Sequence, residues 1–568
     1  MDKVTLIKQL ALANALKFKG KANSKALIGG LIKEMPEVKQ DMQATMKEIN
    51  DITAEINALS LEEQKEFLLT LDPEHEKKQA AAKEERKAKA NELPELPNAV
   101  DGKVVTRIPP EPSKYAHLGH AMSFLINYLY AKKYKGKCLL RFDDTNPGKA
   151  TTEFLEAIKE DVTGYLGCKV DETIIASDHM EKYYGYAKQL IEQGHAYACN
   201  CTDVSDKRRA GEDCEHRSQT QEETLTHWQA MQAGTSDMVL RLKIDMQHKN
   251  AVMRDPVIFR VVNEPHYRTH EKYKAWPMYD FETAIEEGLC GVTHVLRSNE
   301  FDQRIELQNY IAALFDFPEV TYKHYGRYNV TGATTQGREI RALIENGDYI
   351  GWDDPRLVTL KALHRRGILP EAFTLLAKKI GLSKTQTNLD FGVIAAVNRN
   401  LLDEQAKRFF AVANPVTVSV SGIPEGTTQF DLSFHPHGKK GERPLPVTKE
   451  YFIEKKDNDA MKPGQIVRFI DAMNVKKIDD TSYAFVSFAY EDYQSQENTA
   501  GLIHFIPKNG DELKAAILWD DAKERSLLVE QNGSHLKPGD IIQFERFCFA
   551  RVDHVKEDGT LGFWYAHD

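Results

Sequence analysis

The chain of 568 residues predicts a helical lead-in, an α/β nucleotide-binding body of Rossmann type and an all-β tail, and three observations carry that reading. Residues 104–147 run strand, loop, helix, strand, which is one half of a nucleotide-binding sheet. Beyond residue 405 the pattern turns to short alternating runs typical of half-buried strands. Over the first 70 residues the apolar positions keep helical spacing. A chain of this length holds several domains, each long enough to bury a core.

In the lead-in, Met42, Met46, Ile49, Ile52 and Ile56 recur at helical spacing. Ser60-Leu61-Glu62-Glu63 is a capping box for a helix carrying Phe67, Leu68 and Leu71. Residues 72–92 are mostly Lys, Glu and Ala, a charged helix or flexible linker whose lysine run (Lys77 to Lys89) reads as a solvated face. Leu93-Pro94-Glu95-Leu96-Pro97 punctuates the boundary and sets the lead-in at 1–98. Val104, Val105 and Ile108 then make a short buried strand that Pro109 and Pro110 cut off. Ala121, Leu125 and Leu129 share one helical face, and Cys138 to Pro147 reads as a second strand ending in acids. A helix (Phe154, Ile158, Val162, Leu166), a strand (Thr173 to Ser177) and a helix (Tyr183 to Gly194) follow. Strands at Met238 to Ile244 and Val257 to Val262 interrupt the pattern. The sheet is expected to resume with Trp276 to Phe281 and Gly291 to Ser298, and helices from Leu357 to Arg366 and Glu371 to Ile380 close the body. In the tail, Val416 to Val420, Tyr483 to Phe488 and Gly501 to Ile506 read as strands. Lys462-Pro463-Gly464-Gln465-Ile466 is echoed by Lys537-Pro538-Gly539-Asp540-Ile541, which two related β-barrels would explain.

A net charge of −10 argues against a uniformly basic nucleic-acid binder, although local patches decide such binding. No run of 18 apolar residues and no signal-peptide pattern is present, so neither a membrane protein nor a secreted one is expected. Seven cysteines, an odd number with three clustered, suit a reducing compartment, and the expectation is a soluble cytoplasmic protein.

The loop before the first helix carries the chemistry. His117 and His120 stand where the loop enters the helix, beside N-terminal amides suited to charge building on a phosphate. Gly119 leaves room for a nucleotide against the backbone. The bland alternative is two surface histidines at a helix start, but the proline-rich approach and the acidic second strand favour a site.

RIPPEPSKYAHLGHA (107–121) and LRFDDTNP (140–147) resemble the signature HIGH region of the class I glutamyl- and glutaminyl-tRNA synthetases, and WPMYDF, VTHVLR and GWDDPRL extend the likeness over residues 100 to 400. The resemblance implies a Rossmann-like class I catalytic domain in two halves, 99–194 and 276–350, parted by an acceptor-stem-binding insertion at 195–275. A helical stem-contact region at 351–405 and an anticodon-binding pair of β-barrels at 406–568 complete the expected layout. Such a tail marks archaeal, eukaryotic and glutaminyl members, and the first of these types often carry helical extensions, like 1–98, that mediate protein contacts.

It also implies substrates and residues. ATP with Mg²⁺ would lie along Glu111, Pro112, Ser113, His117, Leu118, Gly119, His120, Ala121, Met122, Ser123, Ser298, Arg327 and Tyr328. The second phosphate loop, counted back from Gly351, is Thr334 to Glu339, with Thr335, Gln336 and Gly337 near the nucleotide. Gly337 stands where relatives have a lysine, so Arg338 is the expected cation, beside His117 and His120 as catalytic groups. L-glutamate would meet Arg107, Asp143 (for its ammonium, the alternative being a helix cap or salt bridge), Tyr279 and Arg297. A buried side-chain carboxylate needs a cation, and a guanidinium answers it with two prongs. Glutaminyl members have a small neutral residue at position 297 and glutamyl members have arginine. The alternative for Arg297 is a salt bridge to Glu300. The activity implied is charging of tRNA(Glu) with glutamate. Charging of tRNA(Gln) as well, a glutaminyl enzyme, or an inactive tRNA-binding paralogue are the other readings.

Two two-ligand clips, Cys199/Cys201 and Cys214/His216, could wrap one structural Zn²⁺, and relatives carry a comparable cluster. Arg241, Lys243, Arg254, Arg260 and Arg268 in the insertion, and His364, Arg365 and Arg366 after it, offer basic surfaces for tRNA phosphates, the alternatives being ordinary surface charges in the insertion and an exposed helix end whose cations suit the dipole.

Overall fold

Helical spacing closes the first 71 residues into α1 (Lys3–Lys17), α2 (Ser24–Glu34), α3 (Met42–Asn57) and α4 (Leu61–Leu71). The capping box at Ser60 forms: its hydroxyl accepts from the Glu63 N–H at 3.3 Å, and Glu63 Oε2 accepts from the Ser60 N–H at 2.8 Å. Ile7, Leu12, Leu31, Ile49, Ile56 and Leu68 meet in a core of their own. Gln64, fully buried there, donates from its amide nitrogen to the carbonyls of Gly20, Ile56 and Leu59, which offsets the cost of burying that nitrogen, while its Oε1 is left without a partner.

The computed structural model describes residues 2–75, 77–78, 92–201, 203–436 and 440–568. Residues 79–91 of the expected charged stretch therefore lie outside the described residues. The chain divides into two compact units between Glu92 and Leu93, earlier than the boundary expected after residue 98. Leu93 and Leu96 are the reason. Both are buried with Val104, Tyr130 and Tyr134, and Lys133 Nζ donates to the Leu93 carbonyl at 2.5 Å.

β1 (Val105–Ile108), β2 (Lys137–Phe142) and β3 (Glu172–Ile175) are parallel, in the order β1-β2-β3. α5 (Leu118–Lys133) crosses from β1 to β2 and buries Ala121, Met122 and Leu125 against Leu140 and Phe142. The chain then leaves for an antiparallel sheet of β4 (Ala196–Cys199), β5 (Val239–Leu242), β6 (Val257–Val261) and β7 (Ala275–Pro277). Trp276 and Pro277 thus pair with Arg260 and Phe259 rather than resuming the parallel sheet as expected. The Trp276 ring is fully buried beside His266 and Tyr273, so its packing ties it to the insertion. α6 (Tyr279–Leu289) brings the chain back. The parallel arrangement resumes with β8 (His294–Ser298) and β9 (Thr321–Tyr325), paired in register. The Thr293 N–H donates to the Val105 carbonyl at 3.0 Å, setting β8 beside β1. The strands thus follow the order β3-β2-β1-β8-β9, and a ligand is expected where that order reverses, beyond the carboxyl ends of β1 and β8.

A short parallel pair, β10 (Tyr328–Val330) and β11 (Thr387–Leu389), and α7 (Gly337–Glu345) complete the body, with helices at Leu360–Arg365, Pro370–Ile380 and Phe391–Gln405. The tail forms two seven-stranded barrel-like sheets. The echoed motif marks equivalent hairpins in them: Ile466–Phe469 pairs with Met473–Lys477 in one, and Ile541–Phe544 with Cys548–Val555 in the other. Gly464 and Gly539 open these hairpins at φ 89° and 99°, where a side chain would be strained.

The basic cluster expected to face tRNA does something else. Arg365 pairs with Asp553 at 2.8 Å and Asp353 at 2.7 Å. Arg366 is 3% exposed and donates to the carbonyls of Tyr565, Ala566 and Pro355. These arginines bolt the helix to the last strand pair of the tail. In the insertion, Arg241 is buried and donates to the Asp255 carbonyl, and Arg254 donates to carbonyls of His248 and Arg208. No helix among the described residues is long and apolar enough to cross a membrane.

Candidate active site

β1 ends at Ile108, and Pro109 and Pro110 divert the chain at the carboxyl end of the strand into the turn that starts α5. His117 is the N-cap of α5. Its Nδ1 accepts from the Gly119 N–H at 3.1 Å, while His120 Nδ1 accepts from the His117 N–H at 3.2 Å. This is a reciprocal capping box built from imidazoles. The rings stack with centroids 3.8 Å apart. Because each Nδ1 is an acceptor, the proton of each neutral ring sits on Nε2, leaving two N–H donors on the free edges. Both stay neutral. Burial lowers His120 to about 3, with the Lys114 charge adding to the effect. Burial, then His120, then Lys114 hold His117 well below the ordinary value. A methyl at Gly119 would come within 3.1 Å of the His117 ring and 3.2 Å of Val330, so glycine is what lets that ring fold back.

The histidines line a cavity of about 500 Å³ that reaches Arg107, Asp143, Tyr279 and Arg297 at one end and Arg327, Tyr328 and Thr335 at the other. Its walls thus come from both halves of the parallel sheet. Glu111, Ser113, Gly119, Ser123 and Ser298, all expected near the nucleotide, also line it. Pro112, Leu118, Ala121 and Met122 do not: they are buried, the last three in the core under α5. Gln336, Gly337 and Arg338 also lie off the wall, and Arg338 is exposed on the first turn of α7. Lys114, quoted in the motif but given no role, is on the wall. Its Nζ donates to the Thr335 carbonyl at 3.1 Å and so ties the loop before α5 to the loop before α7.

At the deep end Arg107 and Arg141 share Glu287, 2.7 and 3.6 Å away. Arg107, 2% exposed, gives Nε to Glu287 Oε1 at 2.7 Å. Arg141 grips Asp143 with Nε at 2.6 Å and Nη2 at 3.1 Å. Burial raises Asp143 and pushes Glu282 up further, the latter helped by the Asp143 charge. Arg297 donates from Nε to His324 Nε2 at 3.0 Å and from Nη1 to the Tyr279 hydroxyl at 3.2 Å. The rings of Phe301 and Tyr322 flank it at 5.1 and 5.2 Å. His324 in turn turns its Nδ1 to Asp302. The alternative partner, Glu300, is taken by Arg327 at 2.9 Å and by the Ser298 hydroxyl at 3.0 Å. Among the described residues Arg297 therefore has no carboxylate partner, and its buried Nη2 has no hydrogen bond at all. A buried, unpaired guanidinium is costly unless a ligand completes it.

In the insertion, Cys199 at the end of β4, Cys201, Cys214 and His216 place their donor atoms within 4.8 Å of one another. Cys199 and Cys214 sulfurs are 3.7 Å apart, Cys201 Sγ and His216 Nδ1 3.2 Å, and Cys214 Sγ and His216 Nδ1 3.8 Å. Ligands about 2.3 Å from a tetrahedral centre sit roughly 3.8 Å apart, so the donor set fits Zn²⁺.

Comparison with known proteins follows the same lines. The family described as tRNA synthetases class I (E and Q), catalytic domain, matches residues 103–404, and the corresponding anti-codon binding domain matches 406–490. The glutamate–tRNA ligase of Pyrococcus abyssi is 39% identical, covering 98% of each chain, and that of Pyrococcus furiosus is 39% identical over 100% of each. The one from Methanocaldococcus jannaschii is 37% identical, covering 98% of this chain and 99% of its own.

Proposed function

The chain belongs to the class I tRNA synthetases for glutamate and glutamine, and from that premise we infer that it is a glutamate–tRNA ligase. The observation that carries glutamate rather than glutamine is Arg297, a buried guanidinium held by Tyr279 and His324 with no carboxylate partner among the described residues. The side-chain carboxylate of glutamate completes it, whereas a neutral amide would leave the charge uncompensated.

In the first step an α-carboxylate oxygen of glutamate attacks the α-phosphorus of ATP in line. The bond to pyrophosphate breaks and glutamyl-adenylate forms. In the second step a hydroxyl of the 3′-terminal ribose of tRNA attacks the activated carbonyl, gives up its proton and releases AMP. No side chain acts as nucleophile; the work is positioning and charge stabilisation. The Nε2–H groups of His117 and His120 donate to phosphate oxygens. Asp143 draws the substrate ammonium, Arg107 adds charge beside the carboxylates, and Arg327 and Tyr328 hold the adenosine. Mg²⁺ bound with ATP would neutralise part of the phosphate charge. Cys199, Cys201, Cys214 and His216 would hold Zn²⁺, which would brace the acceptor-end insertion. The separate helical bundle of residues 2–71 is the segment suited to a protein partner.

ATP–pyrophosphate exchange with tRNA present tests the reading. Exchange should depend on glutamate and not glutamine, and separate transcripts will show whether tRNA(Gln) is also charged. Arg297→Ala should cut kcat/KM for glutamate by about 10²–10³-fold, the effect of losing one partner of a buried charge pair. Unchanged glutamate kinetics in that variant would refute the role of Arg297.

A further inference from the structure

Adenylation builds negative charge at the histidine end of the cavity, yet the two imidazoles there are neutral. Arg338 is exposed and off the wall. Four cations do line the cavity: Arg107, Lys114, Arg297 and Arg327. Arg107 is ion-paired with Glu287 and Arg327 with Glu300. Arg297 stands at the amino-acid end, fixed by Tyr279 and His324. Lys114 is left. Its half-buried side chain crosses from the first loop to the second, where Nζ donates to Thr335. Among the described residues it has no carboxylate ion-pair partner. One of its three N–H donors is spent on that carbonyl, and two remain.

We propose that Lys114 is the phosphate-binding cation of this site, bridging the two loops and stabilising the charge that develops on the phosphates of ATP as pyrophosphate leaves. The proposal deepens the ligase reading and rests on it.

The geometry also supplies a relocation test. A Cβ built on Gly337 would lie 3.2 Å from Lys114 Cβ and 3.4 Å from its Cδ, and Gly337 is not among the positive-φ glycines. A lysine at 337 could therefore serve the same space once position 114 is shortened. The experiment is glutamate-dependent pyrophosphate exchange, with KM for ATP and glutamate, in the full chain and in Lys114→Met, Lys114→Arg and the double variant Lys114→Ala with Gly337→Lys. Lys114→Met should lose about 10²–10³-fold in kcat with KM for glutamate nearly unchanged. Lys114→Arg and the relocated lysine should each recover part of it. A merely structural role would not be rescued by moving the charge to another loop. Full activity in Lys114→Met would overturn the proposal. So would a loss that neither rescue improves while thermal unfolding is unaltered, or a larger loss in Arg338→Ala. Absence of exchange by the unaltered chain with any amino acid would instead overturn the ligase reading, and this proposal with it.

Discussion

His117 and His120 cap the helix that presents them, and the cap decides their chemistry. With Nδ1 of each ring accepting from a backbone N–H, protonation at Nδ1 would break the cap, so the cap holds only while the rings are neutral and carry their proton on Nε2. Burial secures that state, lowering His120 to about 3 from an ordinary 6.5. The sign follows for stability: an unfolded chain takes up the proton below about 6.5 while the folded one resists it. The stabilisation is complete above that value and drains away as pH falls from 6.5 towards 3. For catalysis, kcat/KM for ATP reports ionisations of the free enzyme. No acid limb near pH 6.5 should therefore arise from this pair. A pH–rate profile with such a limb, abolished in His120→Asn, would contradict the assignment. That the two histidines stand together at a helix start was legible in the sequence, because position and residue type suffice for that much. Their tautomers were not, since these depend on which backbone amides the rings meet. Lys114 was equally visible, but its role needs Thr335, 221 residues away.

At the scale of elements, spacing along the chain reveals what neighbours do and conceals what distant segments do. The Cys199/Cys201 and Cys214/His216 clips could be read because each closes locally, and the fold brings them within tetrahedral distance. Burial leaves Cys201 at about 12, so without a cation that thiol stays protonated, whereas a coordinating ion strips it. The purified chain should carry one equivalent of zinc by elemental analysis. Chelation or Cys214→Ser should remove it and lower the thermal midpoint, with proteolysis appearing first between residues 195 and 275. Zinc-free protein of unaltered stability would dismiss the site. The helix Leu360–Arg365 shows the opposite case. Its basic end looked suited to tRNA, but Asp553 and the carbonyls of Tyr565 and Ala566 claim Arg365 and Arg366. Those partners lie almost 200 residues on, where no local pattern could announce them. Trp276 misled similarly: its neighbours in sequence belong to the site, while its ring belongs to the insertion.

For the whole molecule, the decisive joint is where the first unit stops. Proline punctuation places it after residue 98, because a Pro-rich stretch usually ends a domain. Packing places it before Leu93. Leu93 and Leu96 are 9% and 6% exposed, in a cluster with Tyr130 and Leu296 that backs α5 and β8. The strap is also pinned by polar contacts: the Leu96 N–H donates to the Tyr134 hydroxyl at 2.8 Å, and the Pro97 carbonyl lies 3.0 Å from His294 Nε2. Residues 93–97 thus support, from behind, the two elements that carry His117, His120 and Arg297. Burial of each leucine contributes about 1.5–3 kcal/mol, and a chain lacking both would also orphan those partners. A truncated chain beginning at Leu93 should fold, keep glutamate-dependent exchange and unfold like the second unit of the full protein. One beginning at Ala99 should unfold about 5–10 °C lower and lose activity at temperatures the longer form tolerates. Differential scanning calorimetry of the two truncations decides it: equal midpoints would mean that the strap belongs to the lead-in after all, and that the proline boundary read from the sequence was the structural one.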